Sequence, residues 1–187
     1  MIEKPKCVIV TGRPGSGKTT LTSELSRRMY LPKISRDEVK EGYANTFGVE
    51  HDALPKETNG IVNEVFFDTI LTLLKGKVSV TIEAAFQHKL WDLVIPRIIQ
   101  IAHAYILVCD LSAELSAKRH LERGLANPNR ELYHGDKRVA IFRETGKYEP
   151  GGEYVPPLYA VPTLSVATVS GYEPGLEEIV SFLRNQR

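Results

Sequence analysis

Cysteine is scarce in this 187-residue sequence: Cys7 and Cys109 are its two thiols. Both sit inside apolar, strand-like runs, so they read as small buried hydrophobes rather than as a disulfide or a metal site, and a reducing cytoplasm is the expected compartment. Charge of one sign is also lacking. The formal net charge is +1 with 25% charged residues, without the basic excess that marks duplex nucleic acid as a standing partner. No apolar stretch is long enough to cross a bilayer and no apolar signal region opens the chain, so neither a membrane nor export is expected. Internal repeats, heptad arrays and low-complexity tracts are missing, as is any Asn-Lys-x-Asp sequence to read guanine. The length suits one sizeable α/β core and is short for two, so residues 1–187 are expected to form a single domain.

What is present is a phosphate-loop pattern. Gly12-Arg13-Pro14-Gly15-Ser16-Gly17-Lys18-Thr19 fits a glycine, four free positions, then Gly-Lys-Ser/Thr. The chemistry needs these types: successive backbone N–H groups turned toward an anion, glycines that allow the turn and the close approach, a lysine for the terminal phosphates and a hydroxyl for Mg2+. Its context agrees. Lys6 to Thr11 is an apolar, β-branched run that predicts a buried parallel strand, and Thr20 to Met29 predicts a helix with Leu21 and Leu25 inward. Strand, loop and helix in this order point to ATP bound along residues 12–20.

Further along, a very short strand near Lys33-Ile34-Ser35 leads into Arg36-Asp37-Glu38, and residues 41–54 read as a helix end and a surface loop. On position alone, Asp37 is either a helix cap or a carboxylate facing the phosphate loop. From Pro55 to Lys75 apolar residues recur three and four apart, including Ile61, Val62, Val65, Phe66, Ile70 and Leu74, and predict a long amphipathic helix. Val78 to Ile82 predicts the third strand, which delivers Glu83 at its carboxyl end. A carboxylate there is costly unless paired or near a cation, and Mg2+ beside the phosphate loop supplies a reason; helix capping is the alternative. His88 to Ala102 has helical spacing that Pro96 should kink or divide, with Trp91 packed inside. His103 to Asp110 predicts another buried strand, after which Asp110 or Ser112 would cap a helix over Ala113 to Arg123 carrying Lys118, Arg119 and Arg123. Residues 124–162 are rich in proline, glycine and charge, and a helix is expected from Asp136 to Lys147. This stretch is the candidate lid, with Arg130, Lys137, Arg138 and Arg143 available to close over phosphate. Thr163 to Val169 predicts the last strand and Pro174 to Leu183 the closing amphipathic helix. The fold class is α/β: a three-layer P-loop NTPase fold with a parallel, nucleotide-kinase-like sheet and a helical lid.

With these residues in place, the chain resembles the single-domain P-loop kinases that include the kinase domain of polynucleotide 5′-hydroxyl kinase, zeta-toxin-like kinases and chloramphenicol phosphotransferase. The resemblance rests on the Gly12-to-Thr19 loop, on Ile34-Ser35-Arg36-Asp37-Glu38-Val39-Lys40, on Glu83, and on the Lys118-Arg119 and Glu122-Arg123-Gly124 cluster. It implies that Asp37 is the general base toward an acceptor hydroxyl, with Arg36 and Lys40 flanking the acceptor. It also implies that Arg123 first, and Arg119 or Arg130 second, touch the donor phosphates. The implied activity is ATP- and Mg2+-dependent transfer of the γ-phosphoryl group to a small-molecule or nucleotide-like acceptor. Beside it stand an ATP-hydrolysing switch or regulatory NTP-binding protein, and an RNA or DNA 5′-hydroxyl kinase, which the lack of an evident basic groove disfavours. The acceptor and the oligomeric state stay open.

Overall fold

In the computed structural model, residues 3–127, 129–134 and 137–185 are described. Five strands, β1 (Lys6–Gly12), β2 (Lys33–Ser35), β3 (Val80–Ala84), β4 (His103–Asp110) and β5 (Thr163–Ala167), form one sheet in the order β2-β3-β1-β4-β5. Every pairing is parallel. Between them run helices α1 (Lys18–Met29), α2 (Arg36–Phe47), α3 (Thr58–Lys75), α4 (His88–Trp91), α5 (Ile95–Ile101), α6 (Ala113–Ala126), α7 (Asn129–His134), α8 (Arg138–Thr145) and α9 (Leu176–Asn185).

The layering follows from the two-residue period of a strand. In β1, Cys7 and Ile9 face a core shared with Phe66, Ile70, Leu74, Ile82, Trp91 and Ile98. Val8 and Val10 face the opposite core, with Leu21, Leu25, Leu107, Ile179 and Leu183. Both sides of β1 are therefore dry, which explains its unbroken apolar run. The cysteines belong to opposite cores, and burial pushes the Cys109 thiol up to about 12 and that of Cys7 higher still, so both are protonated packing groups.

Several local expectations shift. The apolar stripe of α3 is rotated: Ile61 and Val65 are 38% and 47% exposed, while Phe67 and Leu71 are buried. Besides the sheet, α3 packs on α2 and α5, so its buried arc is wider than a single stripe and centres on Ile70. Residues 41–47 are helical, so the surface loop after α2 begins at Gly48, whose αL backbone lets its N–H bond back to the Ala44 and Asn45 carbonyls. Pro96 does divide the 88–102 stretch, standing in the first turn of α5 where its missing N–H costs nothing. Ser112, not Asp110, caps α6 by accepting from the Leu115 N–H at 3.2 Å. α6 also runs through Gly124 to Ala126, because α8 lies so close that a Cβ on Gly124 would stand 2.5 Å from Val139 Cγ2. The helix expected from Asp136 is found as α8; Asp136 itself lies outside the described residues. Among the described residues no helix is long and apolar enough to cross a membrane.

Candidate active site

β1 is flanked by β3 and β4, so the chain leaves the sheet to opposite sides around it. The carboxyl ends of these strands border a crevice of the kind in which open parallel sheets hold ligands. A cleft of about 330 Å³ lies there. The phosphate loop forms its floor. Gly15 and Gly17 both have φ of +86°, and a Cβ on Gly15 would stand 2.2 Å from the Ser116 carbonyl oxygen, so both backbone angle and space demand glycine. Gly17 caps α1 without a side-chain hydrogen bond, which leaves the first-turn N–H groups of α1 directed at the cleft. Pro14, Gly15, Gly17, Lys18, Thr19 and Thr20 line it. Gly12 and Ser16 are buried beneath, and Arg13 turns away to donate to the Gly152 carbonyl.

Lys18 is nearly buried, and its Nζ donates to the Arg13 carbonyl at 2.8 Å, so the ammonium lies along the loop's own backbone. Burial lowers its pKa, against the raising influence of Glu83. Glu83 is 3% exposed, and both of its oxygens are engaged: Oε1 accepts from Ser35 Oγ at 2.7 Å and Oε2 from Thr19 Oγ1 at 3.1 Å. Burial pushes its carboxyl above the usual range, opposed by the Ser35 bond and the Lys18 charge. Parallel pairing of Ser35 with Glu83, and of Val10 with Glu83, fixes this carboxylate between β2 and β1. A hydroxyl and a carboxylate are hard oxygen donors. Mg2+ takes one or two protein ligands with phosphate oxygens and water completing its shell, so Thr19 and Glu83 fit it.

The wall opposite the loop comes from α2. Asp37 has a side chain 58% exposed toward the cleft, with Arg36 Nη1 3.8 Å from its Oδ1. Lys40, one turn further, is 5% exposed and donates to the His134 carbonyl at 3.2 Å. His134 Nε2 meets Glu41 Oε1 at 2.7 Å, which holds α7 against α2. Arg123, from α6, and Arg130, from α7, complete the rim.

Lys18, Thr19, Arg36, Asp37, Lys40, Glu83, Arg123 and Arg130 thus meet in one cleft. Arg119 does not join them. Its guanidinium donates to the Thr168 and Val169 carbonyls at 2.8 and 2.6 Å, which ties α6 to the end of β5. Sequence reasoning missed Ser35, His120 and His134, which also line the cleft, as does Arg138. Arg138 stood among the lid cations but was not singled out, and His120 precedes Arg123 by one helical turn, a spacing that could have drawn attention to it. Nothing local marks His134. A second feature lay beyond reach as well: Tyr154, from the extended chain after α8, inserts behind the loop and bonds Thr11, whose Oγ1 also accepts from the Trp91 indole N–H at 2.9 Å.

Comparison with known proteins adds a family. Residues 7–138 match a family model described as an AAA domain. No curated protein matches the chain. Among solved structures, a candidate kinase from Chloroflexus aurantiacus J-10-fl superposes with a TM-score of 0.80 at 23% identity, covering 99% of this chain and 100% of that one. An APS kinase from Mycobacterium tuberculosis, in complex with AMPPNP and APS, gives a TM-score of 0.64 at 13% identity, covering 98% and 99%. A gluconokinase from Sinorhizobium meliloti 1021 gives 0.54 at 15% identity, covering 97% and 93%. At these identities the likeness is one of fold.

Proposed function

The chain belongs to this AAA-domain family and has the fold of P-loop kinases, and on that premise we propose that it transfers the γ-phosphoryl group of ATP to a hydroxyl of a small-molecule or nucleotide-like acceptor. The observation that carries the reading is Asp37, an exposed carboxylate across the same cleft from Lys18 and Thr19. A hydrolytic switch has no need of an acid facing space that an acceptor could fill.

Phosphoryl transfer asks the protein mainly for in-line positioning and for donors that neutralise charge spreading over the phosphate oxygens. The loop N–H groups and Lys18 hold the β- and γ-phosphates, with Lys18 exchanging its Arg13 carbonyl for phosphate oxygen. Thr19 and Glu83 would hold Mg2+, which when bound offsets charge on the β- and γ-oxygens. Asp37 accepts the proton of the acceptor hydroxyl as its oxygen bonds to the γ-phosphorus; the bond from that phosphorus to the β,γ-bridging oxygen breaks, and ADP leaves. Arg123 and, behind it, Arg130 neutralise the transferring group. Arg119 is left out of the reacting set, as a tether of the β5 end.

The test is a panel of hydroxy compounds, nucleosides and oligonucleotides incubated with ATP and Mg2+ and read by mass. An acceptor that gains one phosphate as ADP appears supports the reading. ADP formed at one rate whatever is added, with no phosphorylated product, overturns it in favour of the switch.

A further inference from the structure

Behind the phosphate loop a single hydroxyl gathers four segments of the chain. Thr11, on β1, is fully buried. Its Oγ1 donates to the Ala84 carbonyl at the end of β3 at 3.1 Å, accepts from the Trp91 indole N–H of α4 at 2.9 Å, and lies 2.5 Å from the Tyr154 hydroxyl. A threonine hydroxyl has one proton and Ala84 takes it, so the Tyr154 O–H is the donor to Thr11. The hydrogen-bonding capacity of Thr11 is then filled. Burial pushes the Tyr154 phenol up to about 12, against the opposing influence of Thr11 and the Gly12 backbone, so the ring keeps the proton this bond requires.

Tyr154 arrives aimed. The Gln87 side-chain amide brackets it, with Nε2 donating to the Glu153 carbonyl at 3.1 Å and Oε1 accepting from the Val155 N–H at 2.7 Å. The His88 N–H donates to the Val155 carbonyl at 2.9 Å, and further along the same segment the Tyr159 hydroxyl donates to Asp92. What Tyr154 reaches is the root of the loop. Thr11 and Gly12 end β1, and Arg13 follows with its carbonyl occupied by Lys18 Nζ at 2.8 Å and by the Ser16 N–H at 3.1 Å, while its guanidinium donates to the Gly152 carbonyl. When Lys18 turns to phosphate, as in the reading above, the loop loses one of these internal ties at the moment it must hold its shape. The bonds from residues 152 and 154 remain.

We infer that Tyr154 is a positioning residue of the donor site: acting through Thr11, its hydroxyl fixes the root of the phosphate loop, so that the inward N–H groups stay in place when Lys18 leaves the Arg13 carbonyl. The inference rests on the loop being the nucleotide site and not on transfer to an acceptor. A hold of this kind acts on affinity, because a loosened loop has to be ordered at the expense of binding.

The test is calorimetric titration of the full chain with ADP and Mg2+, with denaturant midpoints read in the same proteins from the emission of Trp91, the sole tryptophan. Tyr154→Phe keeps the ring and removes the hydroxyl, and should weaken ADP roughly fivefold or more. Tyr159→Phe makes the same change in the same segment but at the Asp92 contact; it should lower the midpoint and leave ADP affinity within about twofold. Thr11→Val removes the shared oxygen and should weaken ADP at least as much as Tyr154→Phe, while Thr11→Ser should restore it. In the Thr11→Val background Tyr154→Phe should add less than about twofold, since the bond it removes is already gone. Unchanged ADP affinity in Tyr154→Phe, an equal loss in Tyr159→Phe, or a Tyr154→Phe effect as large with Thr11→Val as without it overturns the inference and leaves the phosphotransferase reading standing. ADP affinity that depends on Tyr154, in a chain that puts phosphate on no acceptor, supports the inference and overturns the phosphotransferase reading.

Discussion

The floor and the far wall of the cleft are built by opposite means. The floor is a contiguous backbone structure: residues 12–20 carry the turn, the inward N–H groups, the lysine and the hydroxyl on one stretch of chain. The wall is a side-chain structure gathered from α2, α6, α7 and α8, and its charged groups are set by neighbours distant in sequence, such as Asn59, Asn63, Glu41 and His134. A backbone cradle reads one thing, the phosphate chain, and is tolerant of what lies beyond it. A wall of side chains is what distinguishes one acceptor from another.

That contrast breaks most sharply at Arg123, where the two halves meet. Arg123→Ala should lower turnover roughly a thousandfold while leaving equilibrium ATP binding within a few-fold, measured by stopped turnover and by nucleotide titration. If binding fell as far as turnover, Arg123 would belong to the floor alone. Asp37→Asn keeps shape and removes the base, so turnover with acceptor should drop about a hundredfold or more while ATP affinity is unchanged. Gly15→Ala strikes the floor: positive φ and a 2.2 Å approach to the Ser116 carbonyl cost at least about 1–3 kcal/mol, so nucleotide affinity should fall about tenfold or more by calorimetry.

The smallest effect concerns the hold of α7 on α2. Burial lowers the pKa of His134, helped by Arg130 and opposed by Asp37 and Glu41. The sign follows from linkage. A depressed folded value means that the docked state favours the neutral ring, so the contribution is complete above the ordinary histidine value of about 6.5 and is lost as pH falls below it. Hydrogen exchange of residues 129–134 should accelerate between about pH 7 and pH 5.5, beyond the intrinsic pH trend of free amides, and His134→Gln should flatten that excess.

The same contrast explains what could be read in advance. The phosphate loop, the parallel α/β class and the acid near the carboxyl end of β3 were legible because each depends on residues adjacent in sequence or on a strand's apolar run. Glu83 could be singled out by cost alone, as an acid at the end of a buried strand. The centre of the inward face of α3, with Val62, Phe66, Ile70 and Leu74, was legible, but its edge was not: Phe67 and Leu71 rather than Ile61 and Val65 are buried, since α2 and α5 widen the buried arc beyond what its periodicity shows. Arg119 and Arg123 share a helical face by spacing, yet the carbonyls of Thr168 and Val169 draw Arg119 away, and those lie some fifty residues downstream. The same holds for Tyr154: its partner Thr11 is separated from it by 143 positions.

The contact between Gly124 and Val139 has a mechanical meaning. Where α6 and α8 approach so closely that a single hydrogen separates glycine from a valine methyl, the two helices are geared together like meshed teeth. Arg123 rides beside one tooth and Arg138 beside the other, so the spacing of these two charges over the cleft is set by an atom-sized gap that touches no ligand. A methyl group at 124 would work as a wedge, prying the arginines apart from behind and detuning the cleft without altering any residue that lines it.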